Sequence, residues 1–303
     1  MDPLPQDPSA RPARLAVGVV GAGRVGSVLA AALGRAGHRV VAASAVSDAS
    51  RSRADALLPG VAVVPPPEVL AASGLVLLTV PDDVLPGLVD GLAAAGAVRA
   101  GQLLVHTSGL HGVAVLDPAT RLGALPLALH PAMTFTGRAE DLGRLTGACF
   151  GVTAPDRLRP IADALVLEMG GEPHWVDEER RALYHAALAG GANHLSTLVN
   201  ESVDLLRRCG VTEPERMLAP LLGAALDNAL RSGDSARTGP VARGDAGTVA
   251  AHLRELRAVS PDTVNAYVAM ARLTADRALA AGLLRPDAAE ALLDVLAEGA
   301  RNR

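Results

Sequence analysis

The chain has 303 residues, half of them hydrophobic, a fifth charged and 2% aromatic, with a formal net charge of −4. That much apolar side chain buries the cores of two domains and argues against wholesale disorder. The slight acidity and the lack of any long basic run argue against nucleic acid as a partner.

Residues 1–13 carry four prolines and several charges but no apolar centre of a signal peptide, so a disordered tail is expected there. Apolar stretches elsewhere are broken by Pro, Gly or charge before they reach membrane-spanning length, and a cytoplasmic protein that does not engage membranes is expected. Cys149 and Cys209 are too few and too far apart for a disulfide framework or a zinc site, so no metal is expected. All 28 basic residues are arginine, which removes lysine, a common catalytic acid, from consideration.

From residue 15 to residue 176, short apolar runs alternate with helical stretches. The runs are 15–20, 39–44, 61–64, 75–80, 103–106, 125–129, 149–152 and 173–176. Several are continuously apolar, as strands covered on both faces should be. Turn residues such as Gly37-His38, Pro59-Gly60 and Gly170-Gly171 separate them. The pattern predicts an α/β Rossmann domain over residues 14–177, with a doubly wound, mostly parallel sheet. Beyond it the strand signals stop. A long proline-free helix is expected from Glu178 to about Cys209, then helices near 214–231, 246–258, 261–281 and 286–301. Pro214, Pro261 and Pro286 stand just inside helix starts, where a missing N–H costs nothing. Residues 178–303 therefore read as an all-α domain for substrate binding and dimerisation. Gly190 and Gly191 would permit close helix contact, and a homodimer is the expected assembly.

The strongest motif is Gly21-Ala22-Gly23-Arg24-Val25-Gly26, between an apolar strand and a helix-forming run. Gly21 would allow a tight turn, Gly23 the approach of a pyrophosphate, and Gly26 close helix–strand packing. Free amides and the dipole at the helix start would hold phosphates. An NAD site places an acid at the end of the second strand. Here that position is Ser44, followed by Ser47, Arg51 and Arg53, whose hydroxyl and guanidinium groups suit a 2′-phosphate, with Arg24 as a further candidate. NADP, used as NADPH, is the expected cofactor. Val80, Pro81, Thr107 and Ser108 follow the fourth and fifth strands and would line it, while Asp82 and Asp83 read as caps of the next helix.

Helix counting at about 100° per residue puts His185, Ala189, Asn193, Ser196 and Asn200 on one stripe, with His194 roughly opposite. His185 is a candidate acid, since an imidazole titrates near neutral pH. His130 ends the sixth strand, and Pro131 biases it toward an extended conformation. In the loop Thr238–Asp245, Arg243 would clamp a substrate carboxylate. Asp245 would orient Arg243 or cap the following helix, and Thr238 and Asn228 join the substrate-binding candidates.

Together Gly21–Gly26, Thr79–Asp82, His106–Gly109, Leu129–Phe135 and Thr238–Asp245 resemble the Rossmann-like NADP oxidoreductases, of actinobacterial type, whose helical C-terminal domain has no assigned function. More distantly, the chain is similar to ketopantoate reductases, pyrroline-5-carboxylate reductases, prephenate dehydrogenases and β-hydroxyacid dehydrogenases. The resemblance implies hydride transfer, with ketopantoate as the first substrate expectation and a cyclic imine acid or prephenate-like substrate open. In several of those relatives the first long C-terminal helix carries Lys-x-x-x-Asn, the lysine donating a proton. Asn193 matches the asparagine and would hold the carbonyl oxygen, but Ala189 stands at the lysine position. A His-Pro pair in prephenate dehydrogenases supplies a substrate-contacting histidine, which favours His130 over His185 as proton donor. The competing class is an NADP-binding sensor or interaction protein without turnover.

Overall fold

The computed structural model describes residues 14–301, so the tail expected over residues 1–13 lies outside the described residues. Eight strands follow in chain order: β1 (Ala16–Val20), β2 (Arg39–Ser44), β3 (Ala62–Val63), β4 (Leu75–Leu78), β5 (Leu103–His106), β6 (Leu125–Pro131), β7 (Cys149–Thr153) and β8 (Glu172–Trp175). They form one sheet in the order β3-β2-β1-β4-β5-β6-β7-β8. Neighbours are parallel except β6 and β7, which are antiparallel. This is the mostly parallel Rossmann-like sheet that the apolar runs predict. Two ends differ in a way that matters. β4 stops at Leu78, leaving Thr79 and Val80 in a loop, and β6 runs on through His130 to Pro131.

The helices of this part are α1 (Arg24–Arg35), α2 (Asp48–Leu57), α3 (Pro66–Ala72), α4 (Leu85–Ala94), α5 (Asp117–Thr120), α6 (Glu140–Arg144), α7 (Arg159–Glu168) and α8 (Arg181–Ala189). Successive strand residues point to opposite faces, and the core divides accordingly. Val17, Val19, Leu75, Leu77, Leu127, Leu129, Phe150 and Val152 pack with α1 and α7 on one face. Val20, Val76, Leu78 and Leu104 pack with α3 and α4 on the other. The second face is where His106, His130 and Gly151 point.

The expected helix from Glu178 to Cys209 is not α throughout. A 3₁₀ turn over Glu178–Arg180 precedes α8, and a π-helical turn, Gly190–His194, separates it from α9 (Leu195–Arg208). A π turn holds more residues than an α turn, so the count that aligned His185 with Asn193 does not carry across it. Two compact units meet inside that turn, one ending at Ala192 and the other beginning at Asn193. Residues 178–192 thus pack with the sheet.

The second unit contains α9, α10 (Pro214–Ser232), α11 (Pro240–Arg243), α12 (Ala246–Arg257), α13 (Pro261–Ala280) and α14 (Pro286–Arg301). Its core is Val249, Leu253, Val264, Val268, Ala271, Ala275, Ala278, Leu284, Leu292 and Leu296, aliphatic side chains from the last helices. Starts are fixed by local chemistry: Ser260 accepts from the Asp262 amide ahead of Pro261, and Pro214 and Pro286 open their helices as expected. Among the described residues, no helix is long and apolar enough to cross a membrane.

Candidate active site at the carboxyl edge of the sheet

The turn after β1 gives two of its glycines, Gly21 and Gly26, a steric reason to be glycine. Gly21 has φ +91°, and a Cβ there would stand 2.9 Å from the Thr79 carbonyl oxygen. At Gly26 a Cβ would collide with the Thr79 hydroxyl and the Gly21 carbonyl, so the helix packs against the sheet at a distance only glycine allows. At Gly23 the nearest atom to a Cβ would be 3.9 Å away, so the chain itself leaves open space there. The donors differ from the expectation in one respect. The amides of Gly21 and Ala22 are occupied by the Ser44 carbonyl, at 3.2 and 2.7 Å. The amides of Arg24, Val25 and Gly26, which open α1, are the ones that by helix geometry have no intrahelical acceptor.

Beyond β2, the side chains sort themselves. Ser44 is buried. Ser47 caps α2, accepting from the Ser50 amide at 3.2 Å. Arg51 turns back to the Val46 carbonyl, 3.3 Å away. Arg53 instead lines a cavity of about 550 Å³ together with Arg24, Ser52, Thr136 and Arg138. The loop carrying Thr136 and Arg138 is pinned by Asp141, whose buried carboxylate accepts from the amides of Thr136 and Gly137, both at 2.8 Å. Burial opposes that charge, but these hydrogen bonds outweigh it and hold the carboxyl below the usual range. Gly137, at φ +78°, leaves room for the Arg53 side chain. Three guanidinium groups thus surround one cavity beside the start of α1, and Arg138 carried no sequence motif that would have singled it out.

At β4, Asp82 is not the helix cap expected: α4 starts at Leu85 with Val84 before it and no capping side chain. The Asp82 carbonyl lies 3.1 Å from His111 Nε2, and its carboxylate lies 4.0 Å from His185 Nδ1. After β5, His106 Nδ1 accepts from the Ser108 amide, which leaves Nε2 to donate to the Gly112 carbonyl at 2.9 Å. Ser108 Oγ accepts from the amides of Leu110 and His111, so this hydroxyl shapes the loop. Glu178 completes it by accepting from the amides of Val113 and Ala114.

His130, His185 and Gly109 converge. A Cβ on Gly109 would stand 2.7 Å from the His185 ring and 3.0 Å from His130 Nε2. The two imidazole centroids are 6.0 Å apart. On the other side, His130 Nδ1 lies 2.8 Å from the hydroxyl of Tyr184, the rings being perpendicular. Tyr184 reaches His130 over Gly151, where any Cβ would collide with its hydroxyl. One turn earlier on α8, Arg181 is buried: Nε donates to Thr153 Oγ1 at 2.9 Å and Nη2 to the Ala128 carbonyl at 3.1 Å. Its guanidinium carbon is 5.7 Å from the centre of the Tyr184 ring.

Burial, and then the positive charge of Arg181, push His130 down to about 4. Desolvation likewise takes His106 to about 3. Both are neutral imidazoles at pH 7. Tyr184 is raised by burial, with Arg181 acting against that rise, so its hydroxyl is a protonated donor. The arrangement can therefore pass a proton from a phenol backed by an imidazole. Tyr184 and Arg181 were missed in the sequence; the only signal was a tyrosine, one of two in the chain, next to His185.

Val80, Pro81 and Thr107 stand on the loops that end β4 and β5, at the same edge as Gly21–Gly26. Asn193, Asn228, Thr238, Arg243 and Asp245 belong to the second unit. There Asp245 caps α12, accepting from the Thr248 amide at 3.0 Å. Asn228 on α10, Thr238, and Arg243 at the end of α11 are exposed.

Residues 1–131 match the Rossmann-like domain family and residues 148–274 match a domain of unknown function, DUF2520. No curated protein sequence matches the chain. Among solved structures, it is similar to a candidate NADP oxidoreductase from Bacteroides fragilis at 22% identity and a TM-score of 0.71, over 87% of this chain and 98% of that one. An imine reductase from a Pseudomonas species aligns at 19% identity and a TM-score of 0.64, over 94% and 100%. A reductive aminase from Aspergillus terreus, solved with NADPH and ethyl levulinate, aligns at 20% and 0.62, over 93% and 99%. At these identities the likeness establishes the fold.

Proposed function

We propose that the chain is an NADP(H)-dependent reductase of small carbonyl acids, in which Tyr184 and His130 deliver the proton. The observation that carries this reading is the 2.8 Å contact between the Tyr184 hydroxyl and His130 Nδ1 at the sheet's carboxyl edge. Bound there, NADPH supplies the hydride. The chain's own groups suit that cofactor. The opening amides of α1 and the bare approach at Gly23 receive the diphosphate, and Arg24, Arg53 and Arg138 receive the 2′-phosphate.

Tyr184 donates its hydroxyl proton to the substrate oxygen or nitrogen, and His130 returns its Nδ1 proton to the forming phenolate only as Nε2 takes one up, so that the ring stays neutral. The compensating proton enters at Nε2, on the Gly109 side of the ring, with His185 and Asp82 as the neighbouring relay. This chemistry needs no lysine, and the residue matching the relatives' lysine is Ala189. Ketopantoate-like 2-oxo acids are the first class to test. The imine reading is favoured by one observation: the imine reductase and the reductive aminase align over more than nine-tenths of the chain.

A homodimer is part of this reading. α10 exposes Leu226 and Leu230, one turn apart, at 50% and 80%, an apolar pair that a second copy would cover.

The test is NADPH oxidation, followed at about 340 nm, with a panel of 2-oxo acids and cyclic imines. Turnover by at least one substrate, lost in Tyr184→Phe, is the expected result. Saturable NADPH binding without turnover of any substrate would instead make the protein a cofactor-binding sensor.

A further inference from the structure

We propose that Cys149, Glu172 and His174 form a three-ligand site for a zinc-class divalent cation. β7 and β8 are parallel, with Cys149 opposite Glu172 and Gly151 opposite His174. Side chains two apart on a strand share a face, so thiol, carboxylate and imidazole all project from one side of two hydrogen-bonded strands. Their ligand atoms lie within 4.8 Å of one another. Zinc takes sulfur at about 2.3 Å and nitrogen or oxygen at about 2.0–2.2 Å, which places tetrahedral ligands roughly 3.5 Å apart. Closing that gap takes about 1 Å of side-chain rotation. All three side chains are exposed, while the strands hold the spacing of their Cα atoms.

The donor set is selective. A thiolate and an imidazole favour zinc over magnesium or calcium, which take oxygen ligands. Thiolate and carboxylate together neutralise the cation's double charge. Gly151, between Cys149 and the strand's buried end, puts no side chain among the ligands; the Tyr184 hydroxyl occupies the space above it and walls one side. The fourth coordination position faces solvent and would hold water. No spacing motif marks these residues, because α7 intervenes between Cys149 and Glu172 and only the sheet register brings them together.

The probe is metal alone, added to chelator-stripped full-length protein. Zinc should bind one-to-one by calorimetry, with proton release as the thiol ionises. Cobalt(II) should give a thiolate-to-metal charge-transfer band. Cys149→Ser should abolish that band, His174→Ala should weaken binding by about 100-fold, and Cys209→Ser should leave both unchanged. The variants' circular dichroism and melting should match wild type, as expected for exposed positions. Zinc binding that survives Cys149→Ser, a cobalt band lost instead in Cys209→Ser, or no stoichiometric binding would each overturn the site.

Discussion

The Tyr184 hydroxyl reaches His130 because the residue opposite His130 on β7 is Gly151. The missing side chain is the recess in which the phenol lies, and Arg181, one turn earlier on α8, is locked by Thr153 and the Ala128 carbonyl. A helix anchored at one turn and admitted into the sheet at the next fixes the 2.8 Å contact. Preorganised geometry of this kind is what proton transfer requires.

Tyr184→Phe removes the proton and keeps the ring. It should lower kcat by about 100-fold or more, while the dissociation constant for NADPH, measured by fluorescence titration, stays within a factor of about two. A variant with wild-type kcat would remove Tyr184 from the chemistry.

Gly151→Ala puts a methyl group where the Tyr184 hydroxyl now lies. The ring must move, and overpacking of this kind costs about 1–3 kcal/mol. Urea unfolding should show that loss, with kcat falling as far as in Tyr184→Phe. The double variant Gly151→Ala/Tyr184→Phe should recover a small part of the stability, since the phenylalanine lacks the colliding oxygen but keeps the ring carbon at 2.5 Å. Equal stability in the single and double variants would mean that the ring, and not the hydroxyl, carries the clash.

Much of this was readable from the chain. Continuous apolar runs marked strands covered on both faces, and β1 through β8 lie where those runs do. The Gly21–Gly26 spacing encodes two steric demands that the turn meets, at Gly21 and at Gly26. What the sequence concealed depends on register and phase. Tyr184 acquires a partner only because β6 and β7 pair with His130 opposite Gly151. The stripe that linked His185 to Asn193 assumed an unbroken α-helix, and the π turn at Gly190–His194 has no lexical signal beyond two glycines. Asp82 looked like a cap because it precedes a helix by three residues, yet α4 begins without a capping side chain. Arg138 was invisible because Asp141 creates its loop through hydrogen bonds to the backbone.

The arginine cavity predicts cofactor preference. Arg53→Ala and Arg138→Ala should each weaken NADPH binding by about 10- to 100-fold, the worth of one charge-assisted contact, and leave NADH binding nearly unchanged. Arg51→Ala should do little, because Arg51 is turned to the Val46 carbonyl. Asp141→Asn should mimic the arginine losses in weaker form by loosening the Thr136–Arg138 loop. Equal losses for NADPH and NADH would show that the cavity does not read the 2′-phosphate.

His106 and His130 make stability depend on pH in a window set by their depressed values. Both sit below the ordinary 6.5, at about 3 and about 4. An unfolded chain takes up protons on these imidazoles as pH falls through 6.5, whereas the folded protein does not until it reaches the lower values. Their contribution is therefore complete above 6.5 and is lost progressively below it, at about 1.4 kcal/mol per pH unit for each group. Asp141, whose carboxyl is held low, loses its contribution only as pH falls below the ordinary carboxylate range, so the interval from pH 6.5 to 5 isolates the histidines. Unfolding by urea should show a decline of about 2–4 kcal/mol over that interval. His106→Gln, though less stable at pH 7.5, should show about half that decline. An unchanged slope would mean that His106 is protonated in the folded protein, and its hydrogen bond from the Ser108 amide would then have to be absent.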